Sequence, residues 1–375
     1  MKILADENIT DVVRLFGPYG DVSICSGREI DAARLADVDV LLVRSITRVD
    51  EQLLADSRVT FVGSATIGTD HIDGEYLRSH NIRFAYAPGC NANAVVQYVI
   101  AVLCSSVSAW RDKTVGIIGC GNVGSRLLRC LQGLGLKCKV YDPFLDASQC
   151  PVLVDFAEVM AADIICVHTP LTREGRFPTY HMFDQTVLKN LNSGTVLINA
   201  GRGAVVDNKA LLNVLSSNPS LQVVLDVWED EPDINLALLD KVLMGTPHIA
   251  GHSFEGKLRG TEMLLEGFCR WNNQAEPVFN RHGDTQSLQL NEPVSLESAV
   301  LEVYNPVRDS EEMIRALNAC TSNVGECFDA LRRNYSQRWE FSHFDLEGIT
   351  DKEVETALKE LGFQVNQSGE ASPGL

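Results

Sequence analysis

The chain contains no apolar run that approaches the roughly 20 residues of a membrane-spanning helix, so we expect no membrane insertion. It is also short of basic residues, since 32 lysines and arginines stand against 50 acidic residues and the formal charge is −18. Nucleic acid and anionic membranes bind basic surfaces, so neither is expected as a partner. The N-terminal stretch MKILADENIT carries one lysine followed by acidic residues, unlike a secretion signal, and we expect a cytoplasmic protein.

Cysteine pairs with the C-x-x-C spacing are absent, although the chain has eleven cysteines. An odd number cannot form a closed disulfide framework. Cys104, Cys130 and Cys166 lie in apolar stretches, where a free cysteine behaves as a small hydrophobic residue. We therefore expect reduced cysteines with a structural role.

The chain's length of 375 residues exceeds the roughly 250 that a single core accommodates, which predicts two or three domains. Short runs rich in β-branched residues alternate with helical patterns, and this alternation predicts an α/β protein with parallel sheets covered by helices. A first series of strands precedes a long apolar helix at 91–110, and a second series follows it. The predicted strands are MKILAD, DVSIC, VDVLLVRS, VTFVGSA and IRFAYA in the first series, and KTVGIIG, KCKVYD, ADIICVHT, GTVLINA, LQVVLDVWE and VLMGTP in the second.

The C-terminal part of the chain has a different pattern. An amphipathic helix is predicted at 254–273, and a polar stretch at 274–293 follows it. Beyond that stretch, AVLEVYNP resembles a strand, whereas DSEEMIRALNA and GECFDALRRNYSQR have helical patterns. We expect a small separate α+β domain there.

A glycine-rich turn opens the second series. Gly119, Gly121 and Gly124 have the spacing G-x-G-x-x-G between a predicted strand and a predicted helix. This context is typical of a dinucleotide site, in which the glycines permit a tight turn and close approach to the pyrophosphate. Asn122 and Val123 begin the helix, whose N-terminal N–H groups would face the phosphates. The alternative is an ordinary strand-to-helix turn without a ligand.

Asp142 favours NAD over NADP as the cofactor. It ends the strand KVYD, 18 residues after Gly124. A carboxylate at this position accepts hydrogen bonds from the adenosine ribose and repels a 2′-phosphate.

Three polar residues follow successive strands of the second series. Arg202 follows TVLINA, Glu231 follows LQVVLDVW and His248 follows VLMGTP. Ligand sites of parallel sheets form at these strand ends. An enzyme that oxidises an alcohol with a nicotinamide needs a proton acceptor there and a cation for any substrate carboxylate. Each residue alone would more often be structural, so the hypothesis rests on the three together.

The order and spacing of these residues resemble the D-isomer-specific 2-hydroxyacid dehydrogenase family. The stretches VRSIT, GTDHID and APGCNANAV are similar to that family's substrate-domain loops. The resemblance implies two Rossmann-like doubly wound parallel-sheet domains. Residues 1–92 with 254–280 would form a substrate-binding lid domain, and 93–253 the NAD-binding domain. Within the family, the chain is most similar to members that act on a small phosphorylated hydroxy acid, in the stretches NAGRGAVVDN, HIAGHSFEGKLRGT and the C-terminal GECFDALRRNY. This similarity implies that residues 281–375 form a dimerisation domain and that the protein is a homodimer.

The resemblance also implies roles for individual residues. His248 would be the general acid/base, Glu231 would orient it and favour its imidazolium form, and Arg202 would hold the substrate carboxylate. Contacts with the cofactor would involve Thr169, Asp226 and Gly251, although Thr169 before a proline also suits a plain turn.

Contacts with the substrate are implied for Ser45 and Thr66. Arg44 and Arg48 are candidates for the substrate phosphate, which needs charged donors, while Arg48 equally suits a solvated surface position. His252 stands where similar proteins have tyrosine, and we expect it to lie near the substrate.

A metal site formed by His248 and His252 is not expected. A proline and a glycine surround the two histidines, so they are not expected to share a helical turn, and no cysteine or carboxylate pair completes a zinc shell. Two alternative functions remain open at this point. One is a dehydrogenase of 3-phosphoglycerate, which shares the triad and an anionic substrate. The other is an NAD-sensing scaffold that binds a partner protein, against which the intact triad argues.

Overall fold

The computed structural model describes residues 1–279, 285–291, 293–321 and 323–366. The chain forms two compact units. The first comprises Met1–Ala92 and His252–Gly283, and the second comprises Asn93–Gly251 and Asp284–Leu375. In the described ranges, no helix is both long and apolar enough to cross a membrane.

The first unit is built on a five-stranded parallel sheet. Its strands are β1 (Lys2–Asp6), β2 (Asp21–Cys25), β3 (Val40–Val43), β4 (Phe61–Ser64) and β5 (Arg83–Tyr86), and their order in the sheet is β2-β1-β3-β4-β5. The interior strands β3 and β4 are buried along their whole length, which explains the unbroken apolar sequence of β3. The helices of this unit are α1 (Val12–Phe16), α2 (Ala32–Leu35), α3 (Glu51–Leu54), α4 (Gly74–Ser79) and α11 (Phe254–Trp271), with 3-10 turns at Gly17–Tyr19 and Gly27–Glu29.

The strand order creates a crevice at the carboxyl ends of β1 and β3, because the next two strands of the chain, β2 and β3, lie on opposite sides of β1. Ligands of parallel sheets bind at such a switch point. Helix α11 covers one face of the sheet through Phe268, whose ring lies 5.7 Å from that of Phe16 and 5.6 Å from that of Phe61. This aromatic cluster joins α11 to the N-terminal part of the chain.

The second unit contains a six-stranded parallel sheet. Its strands are β6 (Thr114–Ile118), β7 (Lys137–Tyr141), β8 (Ile164–Val167), β9 (Val196–Asn199), β10 (Gln222–Leu225) and β11 (Met244–Gly245). Their order in the sheet is β11-β10-β9-β8-β6-β7, and the switch point lies between β6 and β8. The helices around this sheet are α5 (Ala92–Ser106), α6 (Asn122–Gly133), α7 (Phe156–Val159), α8 (Gln185–Lys189), α9 (Asn208–Ser217) and α10 (Leu236–Leu239), with 3-10 turns at Trp110–Asp112 and Gly203–Val205.

The C-terminal region, which we define as the described residues from 285 to 366, belongs to the same compact unit as this sheet. It has a parallel three-stranded sheet of order β12-β13-β14. Its strands are β12 (Gln286–Gln289), β13 (Phe344–Glu347) and β14 (Gln364–Val365), and its helices are α12 (Leu296–Val303), α13 (Pro306–Asn318), α14 (Val324–Arg333) and α15 (Lys352–Glu360), with a 3-10 turn at Phe341–His343. Its buried residues Leu296, Phe341 and Leu358 share one apolar core with Val99 and Leu127 of the six-stranded sheet's helices.

The predicted α/β fold class, with two Rossmann-like sheets and a small α+β region, is confirmed. The three-part division of the chain stays a prediction, and its expected boundary at 280 and 281 lies outside the described residues. The strand expected at AVLEVYNP is wrong, because Leu296–Val303 is helical. A capping box between Ser295 and Ser298 starts this helix, and its apolar face joins the core, which outweighs the β-branched composition.

The expectation that all cysteines are reduced is wrong for one pair. Cys320 and Cys327 form a disulfide across the turn between α13 and α14, with their Cα atoms 6.4 Å apart. The pair could not be predicted from the sequence, because a spacing of seven residues between two cysteines is not a known disulfide motif. The fold of this part of the chain brings the two thiols within bonding range. The other nine cysteines form no disulfide.

Candidate active site

His248 and Glu231 form a hydrogen-bonded pair at the carboxyl ends of β11 and β10. The distance from His248 Nδ1 to Glu231 Oε1 is 2.5 Å. With Glu231 ionised, the shared proton lies on Nδ1, which leaves Nε2 as a proton acceptor. The two side chains are 31% and 25% exposed, so the pair is sheltered but accessible to a small molecule.

Asp226 fixes the loop that carries His248. This residue directly follows β10 and is only 1% exposed. Its carboxylate accepts from Thr246 Oγ1 at 2.7 Å and from the N–H groups of Ile249 and Ala250 at 2.8 and 3.0 Å. Its backbone carbonyl accepts from the His248 N–H at 2.7 Å. The structure therefore uses Asp226 as the anchor of the segment 246–250, whereas its contact with a nicotinamide stays a prediction.

The pKa of Glu231 lies below its usual value. Burial acts to raise it, but the charge and the hydrogen bond of His248 lower it more, and the nearby Arg332 adds to this effect. The Trp228 N–H also donates to Glu231 Oε2 at 3.2 Å. Glu231 is consequently ionised at neutral pH, as an orienting partner of the histidine must be.

Arg202 lies in the loop after the neighbouring strand β9, and its side chain is half-buried. Asn199, at the end of β9, donates from Nδ2 to the Arg202 carbonyl at 3.0 Å and accepts from the Gly201 N–H at 3.1 Å. Arg202 Nη1 donates to the Gly201 carbonyl at 2.9 Å. Because β9, β10 and β11 are neighbours, the structure places the loops of Arg202, Glu231 and His248 at one edge of the sheet.

A second hydrogen-bond network supports the turn 228–231. Glu229 Oε2 accepts from the Asn208 N–H at 3.1 Å, and Asn208 Oδ1 accepts from the Glu229 N–H at 3.1 Å. His181 Nε2 donates to Glu229 Oε1 at 2.6 Å. No sequence motif indicated this network: Asn208 and Glu229 lie within VVDN and WEDEP, but His181 lies apart from both.

The glycine-rich loop has the geometry of a dinucleotide cradle. Gly119 has a φ of +86°, a value that favours glycine, and it connects β6 to the loop. A Cβ atom on Gly124 would collide with the Gly119 carbonyl, so helix α6 can approach the strand only with glycine there. Gly121 precedes the helix residues Asn122 and Val123, and a Cβ on Gly121 would meet only open space.

Asp142 lies at the end of β7, beside the glycine loop. Its carboxylate accepts from the Cys120 N–H at 2.9 Å and from the Phe144 N–H at 3.0 Å. On the other side of the loop, Thr169 Oγ1 and both ring nitrogens of His168 are buried without hydrogen-bond partners among the described residues. Buried polar atoms require partners, which makes these atoms candidates for hydrogen bonds to a bound dinucleotide.

His168 is a further residue that the sequence reasoning did not select. Burial lowers its pKa to about 4, so its imidazole is neutral at the pH of the cell. A neutral ring can donate one hydrogen bond and accept another, which suits a polar cofactor. Gly251, the remaining cofactor candidate, directly follows the segment held by Asp226.

The substrate candidates of the first unit follow two neighbouring strands. Arg44 and Ser45 come after β3, next to the switch point, with Arg44 half-buried and Ser45 exposed. Thr66 comes after β4, where its hydroxyl donates to the Gly68 carbonyl at 2.8 Å and lies 2.7 Å from Ser64 Oγ. The hydroxyl of Thr66 is therefore already engaged within the loop.

Arg48 and His252 differ in their surroundings. The side chain of Arg48 is 82% exposed and donates from Nε to Asp50 at 2.7 Å, which favours the alternative of a surface charge. His252 is half-buried and precedes α11, which begins at Phe254 with Ser253 as its N-cap. His248 and His252 consequently do not share a helical turn.

Two parts of the chain match known domain families. Residues 104–250 match the NAD-binding domain of the D-isomer specific 2-hydroxyacid dehydrogenases. Residues 282–362 match a domain family of unknown function.

Curated relatives extend the similarity to nearly the whole chain. The erythronate-4-phosphate dehydrogenase of Saccharophagus degradans is 44% identical and covers 97% of this chain and 99% of its own. The enzyme of the same name from Pseudomonas aeruginosa is 42% identical, with coverages of 97% and 100%.

Solved structures share the fold. The NAD⁺-bound 3-phosphoglycerate dehydrogenase of Entamoeba histolytica is 25% identical with a TM-score of 0.63, and the match covers 73% of this chain and 95% of that one. The D-lactate dehydrogenase of Aquifex aeolicus, complexed with NAD and lactic acid, has a TM-score of 0.62 at 23% identity, with coverages of 72% and 95%.

Replacing the proton acceptor tests the catalytic assignment. In His248→Asn, we expect the turnover number for hydroxy-acid oxidation to fall about 10²- to 10⁴-fold, because the C2 hydroxyl loses its base. The dissociation constant of NAD, measured by fluorescence titration, should stay within about twofold, since the glycine loop is unchanged. His80→Asn, at an exposed position of the first unit, is the control and should keep wild-type turnover. Full turnover in His248→Asn would reject the assignment.

Proposed function

The chain belongs to the erythronate-4-phosphate dehydrogenases of the D-isomer specific 2-hydroxyacid dehydrogenase family, and we propose that it oxidises 4-phospho-D-erythronate at C2 with NAD. The predicted family and its NAD cofactor are thereby confirmed. The product is 2-oxo-3-hydroxy-4-phosphobutanoate, and the reaction belongs to pyridoxal 5′-phosphate biosynthesis. The hydrogen-bonded pair of Glu231 and His248 carries the proposal, since it supplies the proton acceptor that this oxidation requires.

The protein's own residues supply the proton chemistry and the orientation of the substrate. NAD, when bound by the glycine loop and Asp142, supplies the acceptor for the hydride that leaves C2. His248 Nε2 takes the proton of the C2 hydroxyl as the carbonyl forms, and the ionised Glu231 stabilises the resulting imidazolium. Arg202 offers two parallel donors to the substrate carboxylate and stabilises charge on the C2 oxygen.

The substrate phosphate requires a cation despite the chain's formal charge of −18. We assign this role to Arg44, at the switch point of the five-stranded sheet, where charged donors recognise an anion at close range. Ser45 and His252 would contribute neutral or pH-dependent donors to the same substrate. The exposure of Arg48 and its ion pair with Asp50 support a surface role for that residue.

A dehydrogenase of 3-phosphoglycerate is the second candidate function. Both substrates carry a carboxylate, a C2 hydroxyl and a terminal phosphate, and 3-phosphoglycerate is shorter by one hydroxymethylene group. The fold similarity to the 3-phosphoglycerate dehydrogenase of Entamoeba histolytica keeps this candidate open. The similarity to curated relatives over 97% of the chain favours 4-phosphoerythronate. An NAD-sensing scaffold has no chemical need for the pair of Glu231 and His248.

We place the enzyme in the cytoplasm as a homodimer joined through the C-terminal region. Nine of the eleven cysteines form no disulfide, which suits a reducing compartment, and the Cys320–Cys327 pair is the exception. The resemblance of the C-terminal sequence to dimerisation domains supports a homodimer.

A comparison of the two substrates tests the proposed function. With NAD in excess, we expect kcat/KM for 4-phospho-D-erythronate to exceed that for 3-phospho-D-glycerate by at least about tenfold, because a site built for one additional hydroxyl leaves polar groups unpaired with the shorter acid. NADH formation at equal substrate concentrations measures this ratio. A higher kcat/KM for 3-phosphoglycerate would overturn the assignment, and no turnover of either acid would favour the scaffold.

Replacing the two arginines of the loop after β3 tests the phosphate site. In Arg44→Ala, we expect KM for the phosphorylated substrate to rise about 10- to 100-fold while kcat falls by less than about threefold, because the lost contact is remote from C2. Arg48→Ala is the matched control and should leave both constants within about twofold, since an exposed ion pair contributes little. An unchanged KM in Arg44→Ala would remove Arg44 from the phosphate site.

A further inference from the structure

We propose that the C-terminal region positions the catalytic histidine by holding both ends of the segment 245–250, through Ser310 and Arg338. This inference rests on the proposed function, because it takes His248 as the catalytic base. Residues 282–362 match a domain family of unknown function, and the inference gives this region a role in positioning His248. That role is independent of any contact between subunits.

Ser310 holds the first end of the segment. It lies on α13, is 6% exposed, and its hydroxyl accepts from the Gly245 N–H at 3.2 Å. Gly245 ends β11, which is an edge strand and has no further strand to pair with on this side. A buried N–H group requires an acceptor, and Ser310 supplies one for Gly245. Gly245 lies three residues before His248.

Arg338 holds the other end. Its Nη2 atom donates to the Ala250 carbonyl at 2.5 Å and to the Ala94 carbonyl at 3.2 Å. Ala250 lies two residues after His248, and Ala94 lies in the first turn of α5. One guanidinium therefore ties the catalytic loop to a long buried helix. Asp226 binds the N–H group of the same Ala250, so both polar groups of this peptide region are held.

The surroundings of Arg338 compensate part of its buried charge, although its Nε and Nη1 atoms have no hydrogen-bond partner among the described residues. The residue is 8% exposed, and its guanidinium lies 4.3 Å from the centre of the Tyr304 ring. Asp309 accepts from the hydroxyls of Tyr304 and Tyr335 at 2.9 Å each, and it adds a negative charge to the same cluster. A buried cation needs such partners. Because Asp309 precedes Ser310 on α13, a single helix connects the two anchors.

The same region also contributes a charge to the catalytic pair. Burial raises the pKa of Glu231, and His248 lowers it. The charge of Arg332, near the end of α14, lowers it further by a smaller amount. Asp226 also interacts with the charge of His248. The C-terminal region therefore acts on the backbone of the histidine loop and on the electrostatics of its partner.

Three variants of the full-length enzyme test the positioning role. Ser310→Ala removes the acceptor of the Gly245 N–H, Arg338→Met removes both carbonyl contacts, and Arg338→Lys retains a charged donor. In Arg338→Met, we expect kcat to fall about tenfold or more with KM changed by less than about threefold, because a displaced base slows the chemical step more than binding. Ser310→Ala should lose about threefold in kcat, and Arg338→Lys should recover part of the loss of Arg338→Met.

Hydrogen exchange of the peptide that spans 244–251 provides a readout that is independent of any substrate. We expect faster exchange of this peptide in Ser310→Ala and Arg338→Met, with the other peptides of the six-stranded sheet unchanged. The matched control is Ser298→Ala, which removes a capping hydrogen bond of α12 in the same region. It should lower the unfolding temperature and leave both kcat and the exchange of 244–251 as in wild type.

The outcomes separate the positioning role from general stability and from the proposed function. Wild-type exchange of 244–251 in folded Ser310→Ala and Arg338→Met would overturn the inference. An equal loss of kcat in Ser298→Ala would overturn it as well, since the effect would then come from stability alone. If Arg338→Met does not fold, Ser310→Ala decides. If the wild type turns over neither phosphorylated acid, the proposed function fails, and the exchange of 244–251 still tests the anchoring.

Discussion

The hydrogen bonds of the buried Asp226 carboxylate are the interaction on which the geometry of the proposed active site depends. They gather the Thr246 hydroxyl and the N–H groups of Ile249 and Ala250 around one side chain at the end of β10. Burial raises the pKa of this carboxyl, while His248 and the donors act in the opposite direction. Burying a carboxylate costs solvation free energy unless its oxygens accept hydrogen bonds, so these three donors stabilise the observed conformation of the loop.

The rest of the site is arranged around this closed loop. The fixed backbone of this loop positions His248 next to Glu231. Trp228 links the turn that carries Glu231 to the same loop, because its indole N–H donates to the Thr246 carbonyl at 3.0 Å. Neighbouring strands place the cation, the carboxylate and the imidazole at one edge of the sheet, and the switch point between β6 and β8 places the cofactor cradle at the same edge. The C-terminal region also binds this loop at both ends, through Ser310 at Gly245 and through Arg338 at Ala250.

Local patterns made much of this predictable from the sequence. The glycine spacing between an apolar strand and a helix predicted the cradle, and the strand-end positions of Glu231 and His248 predicted their pairing. Arg202 follows a neighbouring strand of the same sheet, and its contact with the substrate stays a prediction. Ser310, Arg332 and Arg338 were not predictable, because they reach the site through packing of helices that are distant in the sequence. The helix at 296–303 was mistaken for a strand because β-branched residues prefer strands, and capping and burial outweighed that preference.

The pH dependence of the Glu231→Gln variant tests the central claim most directly. The claim is that an ionised Glu231 and His248 act as one titrating pair in hydroxy-acid oxidation. Removing the negative charge makes protonation of the pair less favourable. Because His248 lowers the pKa of Glu231, the two charges favour each other, and the acidic limb of the kcat/KM profile should move to lower pH in the variant, with a lower maximum rate. An acidic limb at the wild-type pH would contradict the account.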